Sequence, residues 1–468
     1  MKLLVLLAAL LCLTGCSPDA PPVPEERPAV EQAETPVPYD LYLYTDDNRY
    51  LAIDTEGHVV MEVADGQMGI LRTDGLASGI AVQRSEGVMT DEYGWKSPEK
   101  TWCDIYSVTG EYEYTVPLSY VGQEGAFLEG YDMQTQTTKL YRFSDGALIM
   151  DDVHACHQLG DYIYVNQKDW SAPGMFLDSN GDVVSRVPED YTTAGSILDQ
   201  YLIVAQNGLT GLMRPDGSLV LPCQYQELRT GQLGCVTVKD ENGWHAIQAE
   251  TGDILFSSPT RIQYLLPEAA IVAVDEEESE YQLVAFDGTP LMDRQFSWPS
   301  SHDVENDGFP ELFSAQTNDY SDMLIFRPDG TVVYETKSDC YVTILSEDAA
   351  LLSQYLDDEN RNLWAWLDLR DGTQTPLPAV YENTYYNPLY SEHGMELGFF
   401  SRGGSNELGW YRTDILDAEG NVVLEGLQDM LYRGDGIFQC SRGFTSGLLR
   451  LDGTWLYEES SFSALTDD

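Results

Sequence analysis

Apolar and polar positions alternate with a period of two in short runs along most of this chain, and the runs are separated by Asp-Gly, Glu-Gly, Thr-Gly and Asn-Gly steps. Between residues 199 and 235 the pattern is clearest. Tyr201–Ala205 reads as a β-branched strand and Gly208–Arg214 as a second. Pro215-Asp216-Gly217 turns the chain, Ser218–Leu221 returns antiparallel, Pro222 stops it, and Tyr225–Leu228 begins a short fourth strand. An Asp-Gly tip suits a type I′ turn, because both residues tolerate positive φ. Twelve such tips occur, with the glycine at positions 57, 75, 110, 146, 181, 217, 252, 288, 330, 372, 420 and 453. From Gly75 to Gly288 the steps are 35, 36, 35, 36, 35 and 36 residues, a spacing that marks a repeat array.

Each unit of about 36 residues must bury the flat face of its sheet against neighbours, and closing the series removes exposed edges. The expected fold is therefore all-β, a β-propeller or propeller-like array of antiparallel repeats over residues 40–468. Two small propellers, one large ring and an open array all fit the count. The later steps lengthen to 42, 42 and 48 residues. The added residues, among them Asn306, Tyr355 to Arg361 and Tyr381 to His393, are expected in loops on one face, where repeat arrays bind.

A frame recurs at the tips: Gly69-Ile-Leu-Arg72-Thr-Asp74-Gly75, Gly211-Leu-Met-Arg214-Pro-Asp216-Gly217 and Gly447-Leu-Leu-Arg450-Leu-Asp452-Gly453. On these residues the chain resembles the WG-repeat (KWG) family of bacterial proteins, with Gly208 through Tyr225 the nearest stretch, including Val220 and Pro222. The family's tryptophan is replaced by Met68, Thr210 and Ser446. The resemblance implies a β-repeat array with no shared catalytic residues.

The first residues set the expected compartment. Lys2 precedes an apolar run from Leu3 to Leu13, too short to span a bilayer as a finished helix, and Leu13-Thr14-Gly15-Cys16 follows. This resembles the bacterial lipobox. Residues 1–15 are then a cleaved signal peptide and Cys16 carries acyl chains such as palmitate, which hold the protein on a membrane. Residues 16–39, rich in proline and glutamate, form a stalk.

With 25 Lys and Arg against 78 Asp and Glu, the formal net charge is −53. Nucleic acid is excluded as a partner, since phosphate binding needs a basic face. Solubility, a cationic partner or divalent ions could each account for the acid. Asp303-Val-Glu305-Asn-Asp307-Gly308-Phe309-Pro-Glu311 places oxygen donors at alternate positions around a glycine, with Phe309 offering its carbonyl. It looks like the calcium loops of FG-GAP propeller blades, so Asp303, Glu305, Asp307, Phe309 and Glu311 are the candidate ligands and calcium the candidate cofactor. Asp178-Ser-Asn180-Gly181-Asp182 begins similarly but reads as a turn. His154-Ala-Cys156-His157 offers soft ligands without a fourth.

Six cysteines lie beyond Cys16, at 103, 156, 223, 235, 340 and 440, with no C-x-x-C spacing. Cys223 with Cys235 is the favoured bridge if one forms. Trp95, Trp102, Trp170, Trp298, Trp364, Trp366, Tyr385, Tyr386 and Tyr390 are candidates for sheet packing or for stacking on sugar rings. No nucleophile elbow, metal-protease helix or phosphate loop is present. The expected function is a monomeric, lipid-anchored, non-enzymatic module that binds a protein or glycan outside the cell. A surface glycosidase or lyase on the same scaffold, or a purely structural envelope module, are the alternatives.

Overall fold

The computed structural model describes residues 40–460 except 47–48, 74, 91–92, 168–172, 198–199, 232–233, 305–309, 318–321, 337–339, 357–360, 381, 392–393, 406–410 and 418. Strands make up the regular structure, and every pairing between neighbours is antiparallel. Nine sheets have three or more strands, each meandering in sequence order. Two of these have seven strands and bend at a shared strand, Phe296–His302 in one and Val422–Gly434 in the other, so each serves as two units. The chain thus builds eleven blades: residues 41–63, 67–116, 122–153, 155–186, 192–225, 227–258, 262–297, 296–335, 340–376, 382–427 and 428–460, numbered 1 to 11 in that order.

Blades stack face to face, and each junction is a separate apolar core. Leu41, Ala52 and Val63 of blade 1 meet Met68, Ile80 and Val82 of blade 2. Leu202, Val204 and Met213 of blade 5 meet Tyr164 and Phe176 of blade 4. Leu345 and Leu351 of blade 9 meet Tyr386, Phe400 and Leu416 of blade 10. The last core decides the architecture. Tyr42, Tyr44, Leu51 and Ile53 of blade 1 pack on Ile437, Leu448 and Leu456 of blade 11, residues nearly 400 positions away. The series is one closed ring, held at the seam by side-chain packing.

The glycine tips explain how each step is made. Eleven of the twelve join the last two strands of a blade; Gly75 instead joins the first two strands of blade 2, Gln67–Thr73 and Leu76–Glu86. Its place in the 35-residue series is coincidental, and the true step from Gly57 to Gly110 is lengthened by an extra hairpin of Met89–Thr90 with Lys96–Ser97. Nor are the tips type I′. At Gly217 the amide bonds back to the Arg214 carbonyl at 2.9 Å, Arg214 N–H bonds forward to Ser218 at 2.8 Å, and only the glycine has positive φ, +85°. This is a type I turn closed by a bulge glycine. The frame drawn from sequence was also shifted: Glu227–Thr230 is the first strand of blade 6, and blade 5 begins at Thr192–Ile197.

Some tips press on the backbone of the preceding blade. A Cβ on Gly110 would lie 2.7 Å from the Val60 carbonyl oxygen of the blade before it, and a Cβ on Gly57 would collide with the Leu456 carbonyl of blade 11. Arginines that precede a tip reach the following one: Arg142 to the Asn180 carbonyl at 2.8 Å, Arg214 to the Glu250 carbonyl at 3.4 Å, and Arg450 across the seam to the Thr55 carbonyl at 3.4 Å. The seam therefore repeats the geometry of an ordinary step.

Gly420 and Gly57 separate the two demands on a tip. Both have positive φ, but the space around Gly420 is open. Gly420→Ala is expected to cost about 1 kcal/mol for the left-handed backbone alone, and Gly57→Ala clearly more because it also breaks the seam contact. Equal losses in denaturant unfolding would contradict this.

Candidate functional site

Blade 1 is the only three-stranded blade among the described residues, and its tip Gly57 joins its last two strands. What it lacks is the first strand. In its neighbourhood Ile70 and Arg72 on the first strand of blade 2, Tyr390 on that of blade 10 and Leu431 to Arg433 on that of blade 11 line one cleft with Tyr42 and Leu43. First-strand residues of blades 2, 10 and 11 come together at this one cleft, so first strands face the middle of the ring. Among the described residues no strand lies beside Leu41–Asp46 on that side.

The gap is a groove of two successive clefts. One, of about 290 Å³, runs along Tyr42 and Leu43; the other, of about 510 Å³, runs along Tyr44, Thr45 and Asp46 and is closed by Asp429, Gln439 and Ser446. Three side chains occupy outward backbone groups of the strand; the first is Asp40, whose Oδ1 accepts the Leu41 N–H at 2.8 Å. Arg72 donates to the Leu41 carbonyl at 2.9 Å and to Asp40 Oδ1 at 2.6 Å. Gln439 donates Nε2 to the Thr45 carbonyl at 2.7 Å while its Oε1 accepts Thr45 N–H at 3.4 Å. Residues alternate in direction along a strand, so Leu43 presents its amide and carbonyl to the groove as Leu41 and Thr45 do.

Charges of both signs line both clefts. Arg72, paired with Asp40 at 2.6 Å, stands at the Leu41 end; Arg433 donates to Gln439 Oε1 beside Thr45, and Asp46, paired with Arg49 at 2.9 Å, and Asp429 stand at the other end. Tyr42 donates to Asp435 at 3.5 Å, and burial, with Asp435 and Asp40 nearby, pushes its hydroxyl up to about 12. Burial likewise pushes the Cys440 thiol up to about 12, so it stays protonated and unreactive at neutral pH. In the sequence Arg72 stood out only as part of a tip frame, Cys440 only as a cysteine and Tyr390 only as an aromatic; the others were not singled out. The signal was present in length: only 16 residues separate Leu41 from Gly57, against 25 from Thr192 to Gly217.

The residues that were singled out fall elsewhere. In the calcium-like loop, Glu305, Asp307 and Phe309 lie outside the described residues. Of the remainder, the Glu311 carboxylate accepts Val304 N–H at 2.7 Å and Glu311 N–H bonds to the His302 carbonyl at 3.2 Å, which ties the ends of the loop together. Asp303, Val304 and Glu311 lie between the first two strands of blade 8, at the same end of the blade as the tips. Residues 357–360, 381 and 392–393 lie outside the described residues; Leu356 and Arg361, which bound the first of these, are at the opposite end of blade 9, and Glu382–Ser391 is a strand and not a loop.

Asp178 is a turn residue, accepting the amides of Asn180 at 2.9 Å and Asp182 at 3.0 Å. Cys156 packs inside the core between blades 3 and 4, and burial, then Glu129 and Glu124, raises its thiol far above the usual range. Cys223 and Cys235 are not joined by a disulfide; the first donates to the Val204 carbonyl at 3.7 Å and the second to Gln248 Oε1 at 3.4 Å. No group of three or more His, Cys, Asp or Glu converges on a metal position among the described residues.

The aromatic candidates divide. Trp364 and Trp366 pack on Tyr386 and Phe400 with ring centroids 5.6 Å apart in both pairs, Tyr385 stacks on Tyr411 at 5.9 Å, and Trp102 lies under Lys100. Trp170 lies outside the described residues. Trp95, Trp298 and Tyr390 reach solvent, and Trp298 does so from a bulge with φ +53°. Tyr390 is the member of this set that borders the groove.

No family model and no curated protein matches the chain. Among solved structures, a eukaryotic initiation factor aligns over 90% of this chain and 96% of its own at 9% identity, TM-score 0.39. Kluyveromyces lactis Hsv2 aligns over 54% and 96% at 12% identity, TM-score 0.29. AztD of Citrobacter koseri aligns over 72% and 93% at 10% identity, TM-score 0.23. None of these likenesses bears on function.

Glu129 supplies a pH test of burial at the junction of blades 3 and 4. Burial, then Glu124, raises its carboxyl above the ordinary range, so folding favours the protonated form. That contribution is complete below the carboxyl's unfolded pKa and is lost as pH rises through the raised value. Glu129→Gln should therefore raise the melting temperature at pH 7 more than at pH 4. The same shift at both would contradict the assignment.

Proposed function

We propose that this protein is a lipid-anchored, extracytoplasmic ring that binds a partner at the bacterial cell surface. The observation that carries the binding half is the groove at the seam, where among the described residues blade 1 has three strands and every other blade four. The anchoring half rests on Leu3 to Leu13 followed by Leu13-Thr-Gly-Cys16, with residues 16–39 as tether. A net charge of −53 favours solubility and repels anionic lipid from the ring, so the acyl chains on Cys16 must supply the membrane affinity.

A binder of this kind needs no catalytic group. Rigid blades hold the groove, and the side chains that line it make hydrogen bonds and apolar contacts with little reorganisation. Protein is favoured over glycan because the groove exposes strand backbone, whereas most of the aromatic candidates for sugar stacking are dispersed or packed.

Fatty-acid labelling tests the anchor. Cells fed an alkyne palmitate should label the wild-type chain and leave Cys16→Ser unlabelled, with the variant leaving the membrane fraction. A Cys16→Ser chain that stays membrane-bound, or a wild-type chain that resists protease added to intact cells lacking an outer barrier, would contradict the proposal.

A further inference from the structure

Asp240, His245 and Ser257 form a connected line on one face of blade 6. Asp240 ends the second strand, Cys235–Asp240; His245 lies on the third, Gly243–Gln248; Ser257 lies on the fourth, Ile254–Ser258. The register brings them together. His245 sits directly across from Val238 on one side and from Ser257 on the other, and Asp240 is two residues on from Val238, so all three side chains leave the same face of the sheet. That face carries Val236 and Val238 into the core shared with blade 5, and beside them His245 keeps only 12% of its side chain exposed. Ser257 is open to solvent.

The hydrogen bonds fix which ring nitrogen holds the proton. His245 Nε2 lies 3.1 Å from Asp240 Oδ1, and Nδ1 lies 2.8 Å from Ser257 Oγ. The Asn242 amide donates to the same Oδ1 at 2.6 Å, and this bond, with the imidazole, holds the Asp240 carboxyl below the usual range. At neutral pH it is ionised and can only accept. In the neutral ring Nε2 therefore carries the proton, and the Nδ1 lone pair faces the Ser257 hydroxyl. A hydroxyl bonded to the free nitrogen of an imidazole that a carboxylate orients is the arrangement that makes a serine nucleophilic. His302 and Ser314 of blade 8 also meet at 2.8 Å, but burial lowers the basicity of that imidazole and its other nitrogen meets no carboxylate among the described residues.

We propose that Ser257 is a site of O-acylation that takes its acyl group from an activated ester or thioester. Ser257 Oγ attacks the carbonyl carbon while its proton passes to His245 Nδ1. The bond from that carbon to the departing oxygen or sulfur then breaks, and the departing group takes the proton from Nδ1. The chain is left with an ester on Ser257, and an alcohol or thiol is released. Asp240 is a positioning residue, acting through His245 by holding the ring and its proton in place. The exposure of Ser257 suits an acyl donor that arrives from solvent, and the site is independent of both the anchor and the groove.

The probe is p-nitrophenyl acetate, mixed with the full chain at neutral pH, with acetylated positions followed over time by peptide mass spectrometry. Ser257 should be acetylated at least about a hundredfold faster than Ser314 or the other exposed serines, and His245→Gln should remove that advantage. Asp240→Ala should slow Ser257 at least about tenfold, and Asp240→Asn, which keeps an oxygen for the Nε2 proton without the charge, should fall between it and wild type. Acetylation at Ser314, on a different blade, should be the same in every variant, which separates loss of the site from loss of the fold. In Ser257→Ala the release of p-nitrophenolate should drop together with the label. No acetyl group on Ser257, a rate there equal to that of other exposed serines, or an unchanged rate in His245→Gln would overturn the proposal.

Discussion

A sheet that is apolar on both faces cannot stand alone in water, and that requirement governs the whole molecule. Each blade must be covered twice, so each must have two neighbours, and an open row would leave two faces bare. Burial of a large apolar side chain is worth roughly 1.5–3 kcal/mol, and each junction buries several. The chain meets the requirement by making its first and last blades cover each other: Tyr42, Tyr44 and Ile53 against Ile437, Leu448 and Leu456. Propellers with a strand exchanged between the two ends close through hydrogen bonds. Here closure is by packing, supported by the Arg450 bond to Thr55 and the ion pair of Arg49 with Glu459.

The same choice leaves the inner edge of blade 1 uncovered by a strand among the described residues, so closure and the binding groove are two results of one arrangement. The acid is accounted for differently. Carboxylates at the tips serve the turns: the hydroxyl and amide of Ser218 hold Asp216 below the usual carboxylate range, and the Thr331 amide and hydroxyl do the same for Asp329. Two cations neutralise buried acids, Arg402 with Asp414 at 2.6 Å and Lys139 with Asp132 at 2.9 Å.

The repeat was legible because each tip needs a residue that tolerates positive φ, and glycine advertises that need. Strand type, the all-β class and the turn reading of Asp178 followed from the same local chemistry. What was not legible depends on partners distant in sequence. Gly75 has the tip composition of Gly217, yet only pairing shows that it joins the first two strands of its blade. Glu227–Thr230 looked like the end of one unit because a strand carries no mark of which sheet it will join. The groove was hidden for the same reason: Arg72, Arg433 and Gln439 are unremarkable in sequence and acquire a common purpose only when residues near 42 and near 435 are brought side by side. Trp364 and Trp366, which composition alone offered as sugar platforms, are core packing because their strand runs through a blade junction.

Hydrogen exchange measured by mass spectrometry tests the closed ring most directly. If blades 1 and 11 cover each other, the amides of Leu41–Asp46, Arg49–Asp54 and Thr445–Arg450 open as one unit, and Ile437→Ala, which hollows the shared core, accelerates exchange in Arg49–Asp54 as much as in Thr445–Arg450. Acceleration confined to blade 11, with blade 1 unchanged, would mean the two ends do not meet and the ring is open.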